Sequence, residues 1–342
     1  MANKKLTAGR NSMPKLKTIW KRNLGEDILD LALAKSVGIV VVGTEEGKIH
    51  CLDKIGKILW ISKVKGEVKG VATTKNGRFT FGVSSEGTVF CYNKEGMPLW
   101  DCEIHENLSC IAYSEKGRQA VVGSDKGNLY ILSKEGEMLL KCNIDEKIDR
   151  VDISDKGDIM IAATKDNIIF CLDDQGEVLW KRALKGKVND LKISADGNLI
   201  AVVYENLKIQ TLDKNGILRW KKKLERMIFS LDISEATSDI LFSSDDKLII
   251  CLNKRGEEIW KQEIENNVRI LTVSKDGKGF VFGTFEGDII TFENLEDDME
   301  IFYEILCRGE KKCGTFVSAV YTNRCPRCGS DKNVVRIIRE KL

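Results

Sequence analysis

Residues 68–100 read VKGVATTKNGRFTFGVSSEGTVFCYNKEGMPLW, and this stretch decides the fold of the chain. It consists of short runs rich in Val, Thr, Phe and Tyr, which the turn sequences Asn-Gly and Glu-Gly separate. Strands of this length joined by tight turns pair in antiparallel order. The stretch therefore predicts four β-strands, which we name A to D in the order of the chain.

A tryptophan recurs with a period of 40 residues on both sides of this stretch. Its positions are Trp20, Trp60, Trp100, Trp180, Trp220 and Trp260, and Leu140 takes the place of the missing one. A four-stranded unit repeated at about 40 residues is typical of a β-propeller blade. The predicted first residues of the A strands keep the same period and are Ile28, Val68, Leu108, Ile148, Val188, Ile228 and Val268. The sequence therefore predicts an all-β, seven-bladed β-propeller over residues 14–293.

The two ends of the repeat predict how the ring closes. Blade 7 has candidate A, B and C strands over 268–292, but the acidic segment 294–302 follows them and reads as a linker. The segment around Trp20 lies in the frame of a D strand and precedes every A strand. We therefore expect the N-terminal strand to complete blade 7, which leaves no sheet edge unpaired at the seam.

Three segments carry a resemblance to a known family. IHCLDKIGKILW (49–60), IFCLDDQGEVLW (169–180) and IICLNKRGEEIW (249–260) resemble the quinoprotein-like (PQQ-like) repeat, and the turns 194–197 and 274–277 resemble those of WD40-like blades. The resemblance covers residues 14–293 and implies the propeller fold. Quinone-dependent dehydrogenases of that family use eight blades and often a vicinal disulfide. This chain has seven predicted blades and no adjacent cysteine pair, so we expect no quinone cofactor.

Composition narrows the class of protein. The 342 residues contain 54 Lys and Arg against 52 Asp and Glu, and no apolar run is long enough to span a membrane. The basic N-terminal residues lack the apolar core of a secretory signal, and the 11 cysteines are an odd number. We therefore expect a cytoplasmic protein with reduced thiols and no membrane partner.

The predicted B–C turns share an acidic position. They should lie on one face together with the D–A connections, so their side chains would form a rim around the mouth of the channel. The acids at the shared position are Glu46, Glu86, Asp166, Asp246 and Glu286. Tyr204 and Phe285 break the polar pattern of the same turns and are further candidate contacts. These seven residues are the predicted partner-binding surface, although acids are also ordinary at exposed turns.

Two other regions of the propeller carry charge. The A strands are small in blades 1–3 (Ala32, Ala72, Ala112) and charged in blades 4–6, which makes the hub a candidate site for a small ligand. The charged hub residues are Arg150, Asp152, Asp190, Lys192 and Asp232. The D strands of blades 4 and 5 carry a basic run that nucleic acid would recognise, unless it only protects the sheet edges. This run comprises Lys181, Arg182, Lys185, Lys187, Arg219, Lys221, Lys222, Lys223 and Arg226.

The C-terminal residues 303–342 predict a small zinc ribbon. Cys307, Cys313, Cys325 and Cys328 follow the pattern C-x5-C-x11-C-x2-C, and the segment contains nine Lys and Arg against four Asp and Glu. Four thiolates suit one tetrahedral, structural Zn²⁺ ion. The first spacing is wider than usual, so Cys307 is the weakest ligand candidate.

No catalytic motif is present in the sequence, and the chain contains only two histidines. We therefore expect a protein that is not an enzyme and acts as a protein-interaction scaffold. The alternatives are RNA or ribosome binding through the ribbon and the basic blade edge, and a ligand or enzyme site at the hub.

Overall fold

The computed structural model describes residues 15–205 and 207–295, and beyond them the backbone of residues 301–307, 316–319 and 333–339. It divides the chain into two compact units, Met1–Asn294 and Leu295–Leu342. The described part of the first unit contains seven antiparallel sheets of four strands each and no helix. The predicted seven-bladed, all-β propeller is confirmed.

Blades 1 to 3 are each built from four strands that are consecutive in sequence. The strands of blade 1 are β2 (Ile28–Ala34), β3 (Ile39–Thr44), β4 (Lys48–Leu52) and β5 (Ile58–Lys63). Those of blade 2 are β6 (Val68–Thr73), β7 (Phe79–Ser84), β8 (Thr88–Asn93) and β9 (Pro98–Glu103). Those of blade 3 are β10 (Leu108–Ser114), β11 (Gln119–Ser124), β12 (Asn128–Ser133) and β13 (Met138–Asn143).

Blades 4 to 6 repeat this arrangement. The strands of blade 4 are β14 (Ile148–Ile153), β15 (Ile159–Thr164), β16 (Ile168–Asp173) and β17 (Val178–Ala183). Those of blade 5 are β18 (Val188–Ile193), β19 (Ile200–Tyr204), β20 (Lys208–Leu212) and β21 (Leu218–Lys223). Those of blade 6 are β22 (Ile228–Ile233), β23 (Ile240–Ser244), β24 (Leu248–Leu252) and β25 (Glu258–Glu263). All seven A strands begin at the predicted residues.

Blade 7 joins the two ends of the propeller. Its strands are β1 (Lys15–Asn23), β26 (Val268–Val273), β27 (Gly279–Thr284) and β28 (Asp288–Leu295), with β1 hydrogen-bonded to β28 as the outer strand. Lys21 Nζ lies 2.8 Å from Asp288 Oδ2, and the Asn23 amide donates to Glu286 O and to Asp288 Oδ1. The N-terminal strand closes the ring as expected.

Neighbouring blades are held together by the periodic Trp and Gly residues. Trp60 Nε1 donates to Lys94 O at 3.0 Å. The equivalent bonds are 2.9 Å long for Trp20 and Trp100, 2.8 Å for Trp180 and 3.0 Å for Trp220. The Trp60 ring lies against Gly96, where φ is +80° and an added Cβ would come 2.6 Å from the ring. Five D-strand tryptophans, all except Trp260, therefore pack on the C–D turn of the next blade, which explains both periodic positions at once.

The core lies between adjacent blades, where inward-facing residues of consecutive sheets interdigitate. Four cysteines at one C-strand position, Cys51, Cys91, Cys171 and Cys251, are at most 3% exposed. Burial raises the pKa of Cys51, Cys91 and Cys171 to about 12. These thiols are core residues, as the sequence indicated.

The described backbone of the second unit is one antiparallel sheet of three strands, in the order β30–β29–β31. They are β29 (Ile301–Cys307), β30 (Phe316–Ala319) and β31 (Asn333–Arg339). Cys307 ends β29 and pairs with Asn333, the first residue of β31. Cys313, Cys325 and Cys328 lie outside the described residues.

Candidate functional site: the two mouths of the channel

Two faces of the propeller differ in the turns that they carry. The B–C turn of each blade is hydrogen-bonded to the D–A connections beside it, as where Leu24 N donates to Gly287 O and Glu45 N donates to Asp27 O. The B–C turns and D–A connections therefore share one face, which we call the B–C face. The A–B and C–D turns form the opposite face, which we call the A–B face.

Ion pairs cross the mouth of the channel on the A–B face. Lys75 Nζ lies 2.8 Å from Asp155 Oδ1 and 2.9 Å from Glu235 Oε2, and these three residues belong to blades 2, 4 and 6. Lys116 Nζ adds a second contact to Asp155 at 2.9 Å, and Lys35 Nζ lies 3.9 Å from Glu235 Oε1. These ion pairs therefore cross the channel at this mouth and line the cavity beneath it.

The ion pairs shift the ionisation of their members. Burial alone would raise the pKa of Asp155, but the hydrogen bonds from Lys75 and Lys116 lower it below its ordinary value. Burial likewise opposes the charge on Lys75, yet Asp155 and Glu235 raise the pKa of its ammonium. Asp155 and Lys75 are therefore both charged at neutral pH, and their charges compensate one another.

The hub carboxylates bind backbone groups of the next blade. Asp30 Oδ2 accepts a hydrogen bond from Val71 N at 2.8 Å, and Asp152 Oδ2 accepts one from Ile193 N at 2.8 Å. The other two hub carboxylates make the same type of bond, Asp190 with Leu231 N and Asp232 with Val273 N. Three of the predicted ligand-site residues, Asp152, Asp190 and Asp232, therefore fix neighbouring A strands together. Their first role is structural.

Lys192 projects among these carboxylates from blade 5. Burial disfavours its charge, but Asp152, Asp232, Asp190 and Asp30 together raise the pKa of its ammonium above the ordinary value. Among the described residues, no carboxylate oxygen lies within 4 Å of Lys192 Nζ. Lys192 lines both halves of the channel, which widen into cavities of about 200 Å³ and about 190 Å³.

The mouth on the B–C face carries four cations at its centre, beside the hub carboxylates Asp30, Asp190 and Asp232. In every blade the pairing of strand A with strand B skips one residue, as between Ile28 and Asp30. In blades 1, 3, 6 and 7 two consecutive residues at this irregularity therefore line the mouth. The cations that line it are Lys69, Arg150, Lys192 and Arg269. Arg150 Nε lies 3.9 Å from Asp190 Oδ1, whereas the Arg269 guanidinium lies over the Phe285 ring at 5.6 Å. Sequence reasoning named Arg150 and Lys192 but missed Lys69 and Arg269.

The predicted acidic rim lies around this mouth, but its members differ. Glu46, Glu86, Asp166 and Glu286 are exposed, whereas Asp246 is half-buried and forms an ion pair with Arg226 at 3.2 Å. The structure concentrates the acids at blades 7, 1 and 2. One groove there is lined by Glu26, Asp27, Glu45, Glu46 and Glu286, and a second by Glu45, Glu46, Glu67 and Glu86 together with Lys63 and Lys65. We call Asp27, Glu45, Glu46, Glu86 and Glu286 the acidic sector.

The structure exposes one of the two aromatic candidates and buries the other. Phe285 is 43% exposed and packs edge-on against Phe229 with 5.3 Å between the ring centroids. Tyr204 is 2% exposed and belongs to the core between blades 4 and 5. Its prediction as a contact residue is wrong, because it ends strand β19 with its side chain directed inward rather than lying in the turn.

A buried polar group beneath the acidic sector escaped the sequence analysis. Lys48 binds the carboxylates of Glu26 and Glu46, and the bond from Lys48 holds the pKa of Glu26 below its ordinary value although burial opposes this. His50 Nε2 lies 3.8 Å from Glu26 Oε1, and burial lowers the pKa of His50. Neutral His50 therefore leaves Lys48 as the cation that supports the acidic sector from below.

The basic run on blades 4 and 5 is displayed on the outer strands. Strands β17 and β21 alternate exposed and half-buried residues along their length. Lys181, Lys221 and Lys223 are exposed, and Arg182 is half-buried and donates to Gly216 O at 2.6 Å. This surface is separate from the channel and its mouths.

Comparison with protein families gives one match. Residues 80–216 match a family of unknown function, DUF5711. The match covers less than half of the chain and includes strands of blades 2 to 5. No match was found among curated proteins. No described residues form a helix long and apolar enough to cross a bilayer, and no described group of three or more His, Cys, Asp or Glu side chains is arranged to hold a metal ion.

Proposed function

We propose that the propeller is a cytoplasmic, non-enzymatic protein-interaction scaffold whose acidic sector binds a basic surface of a partner. The observation that carries this proposal is the placement of Asp27, Glu45, Glu46, Glu86 and Glu286 in two adjoining grooves of one face. Carboxylates so close together repel one another, and a basic partner would relieve this repulsion. Exposed charges also speed and orient association.

Charge reversal on each face tests this proposal with a matched control. We expect Glu46→Lys, Glu86→Lys and Glu286→Lys together to abolish capture of the partner from cell lysate. The control combines Glu95→Lys, Glu137→Lys and Asp174→Lys, which are exposed residues of C–D turns on the A–B face. Both variants change the net charge equally, and both should keep the parental melting temperature. Capture that survives the first variant, or that is lost in both, would overturn the proposal.

RNA or ribosome binding is the second candidate function, because Lys181, Lys221 and Lys223 are exposed along two adjacent blades. Neutralising phosphates with lysine releases counterions, so the logarithm of affinity falls linearly with the logarithm of salt concentration. Two results together would favour this function. Nuclease treatment should remove the captured partner, and binding should show a steep salt dependence that is reduced by the combined variant Lys181→Gln, Lys221→Gln and Lys223→Gln. Capture insensitive to nuclease would exclude it.

We also propose that the second unit is a zinc ribbon that binds one structural Zn²⁺ through Cys307, Cys313, Cys325 and Cys328. In support, Cys307 ends β29, Cys313 falls in the connection to β30, and the other two precede β31 in the chain. Four thiolates suit a closed tetrahedral site that would supply much of the folding energy of so short a unit. Elemental analysis should give one zinc per chain, lost in Cys325→Ser but kept in Cys102→Ser, a variant of a propeller cysteine. Full-length protein purified without zinc would contradict this proposal.

A further inference from the structure

The carboxylates and the cations of the hub differ in the contacts that they make. Each of the carboxylates Asp30, Asp152, Asp190 and Asp232 accepts a backbone N–H from the next blade. By contrast, Lys192 and Arg269 have no carboxylate oxygen within 4 Å among the described residues. Arg269 is thus the hub cation with no carboxylate beside it among the described residues, whereas Lys192 lies among the hub carboxylates, which stabilise its charge from beyond 4 Å.

The wall opposite Lys192 leaves room in the channel. Blades 2 and 3 line the channel with small residues, Cys110 in the half next to the B–C face and Ala72 and Ala112 in the other half, whereas blades 4 to 6 carry charged residues. The half of the channel next to the B–C face holds a cavity of about 190 Å³. A cavity of about 150 Å³ accommodates a benzene ring, so this half has space for a small ring with one substituent.

The entrance to this cavity combines cations with an aromatic pair. Arg269 and Phe229 both line it, and Phe285 contacts the Phe229 ring and lies beneath the Arg269 guanidinium. A guanidinium that rests on an aromatic face keeps its N–H groups free for an oxyanion. The opposite mouth is crossed by the pairs of Lys75 with Asp155 and Glu235, so a ligand would enter from the B–C face.

We propose that the channel binds a small aromatic oxyanion, a phosphate or carboxylate attached to a flat ring, that enters through the B–C mouth. Arg269 and Lys192 would bind the oxyanion, and the ring would contact Phe229, Cys110 and Ile111, which line the same cavity. This site is independent of the acidic sector proposed as the partner surface.

Calorimetric titration of the full-length protein tests this inference with phenyl phosphate, inorganic phosphate and phenol. We expect phenyl phosphate to bind more tightly than inorganic phosphate, and phenol not to bind at millimolar concentration. Arg269→Gln should weaken phenyl phosphate by about tenfold or more, which corresponds to one lost charged hydrogen bond. Lys192→Met should do the same, whereas Lys223→Gln on the outer strand of blade 5 is the control and should have no effect.

Two results of these titrations would overturn the inference. Failure of both anions to bind at millimolar concentration would overturn the inference. Equal affinities of the parent and Arg269→Gln would also overturn it, even if Lys192→Met fails to fold. Because Glu46, Glu86 and Glu286 remain unchanged in these variants, loss of anion binding with intact partner capture would leave the proposed scaffold function standing.

Discussion

The two faces of the propeller place charges at the channel in opposite ways. On the A–B face, Lys75, Asp155 and Glu235 pair across the channel. On the B–C face, the acidic sector gathers carboxylates in two grooves, and Arg269 faces the mouth without a carboxylate within 4 Å among the described residues. Charges that compensate one another stabilise a fold, whereas charges left without counterparts are available to another molecule. This difference is the basis of the proposal that the A–B face is structural and the B–C face binds a partner.

This comparison requires a closed ring, so the largest expected effect concerns the seam. Deleting residues 1–24 removes strand β1 from blade 7, together with the Lys21–Asp288 pair and the packing of Trp20 on blade 1. We expect the free energy of unfolding to fall by at least about 4 kcal/mol, because a whole edge strand is lost. Chemical denaturation measures this loss. Deletion of residues 1–13 is the control, and equal stability of the two truncated proteins would show that β1 does not close the ring.

Substitution of one cation on each face tests the comparison itself. Lys75→Met leaves Asp155 and Glu235 without their shared partner, and we expect it to destabilise the propeller by about 2 kcal/mol, less than a fully buried pair because Lys75 keeps some exposure. Arg269→Gln removes no ion pair of the described residues and should leave the urea midpoint nearly unchanged. The comparison would fail if the two variants were equally stable.

The stability difference between the parent and Lys75→Met should change with pH, and this smaller effect tests whether the ion pairs cause it. The pKa of Asp155 is lowered below the ordinary 3.8, so its stabilisation is present above that pH and is lost as pH falls through the folded-state value. The pKa of Lys75 is raised above 10.5, so its stabilisation is present below that pH and is lost as pH rises through the folded-state value. The stability gap between the parent and Lys75→Met should therefore be widest near neutral pH and narrow at both extremes. A gap independent of pH in urea titrations would contradict the ion-pair interpretation.

The sequence predicted the fold well because repetition made each feature visible several times. The 40-residue period repeats the Trp60 position as tryptophan six times and the Gly96 position as glycine six times, so one irregular blade does not obscure the register. The incomplete blade 7 and the N-terminal Trp20 strand also had matching frames, and the structure joins them.

The sites were harder to predict because they depend on which blades face each other. Lys75 and Glu235 are 160 residues apart and meet only across the channel. Arg269 follows the first residue of its A strand, at a position where only the skipped pairing turns side chains towards the mouth. Tyr204 was misassigned because the first residue of each aligned turn sequence is the buried last residue of strand B, as at Thr44 and Ser84, and this position places the Tyr204 ring in the core. Local patterns contain none of this information.

Hydrogen–deuterium exchange of the protein with its captured partner tests the central claim most directly. If the B–C face is the binding surface, protection should concentrate in the turns 44–47, 84–87 and 284–287, which carry the acidic sector. The C–D turns of the A–B face and strands β17 and β21 should exchange as in the free protein. Protection of those C–D turns or of β17 and β21, with the B–C turns unchanged, would contradict the division of the propeller into a structural face and a binding face.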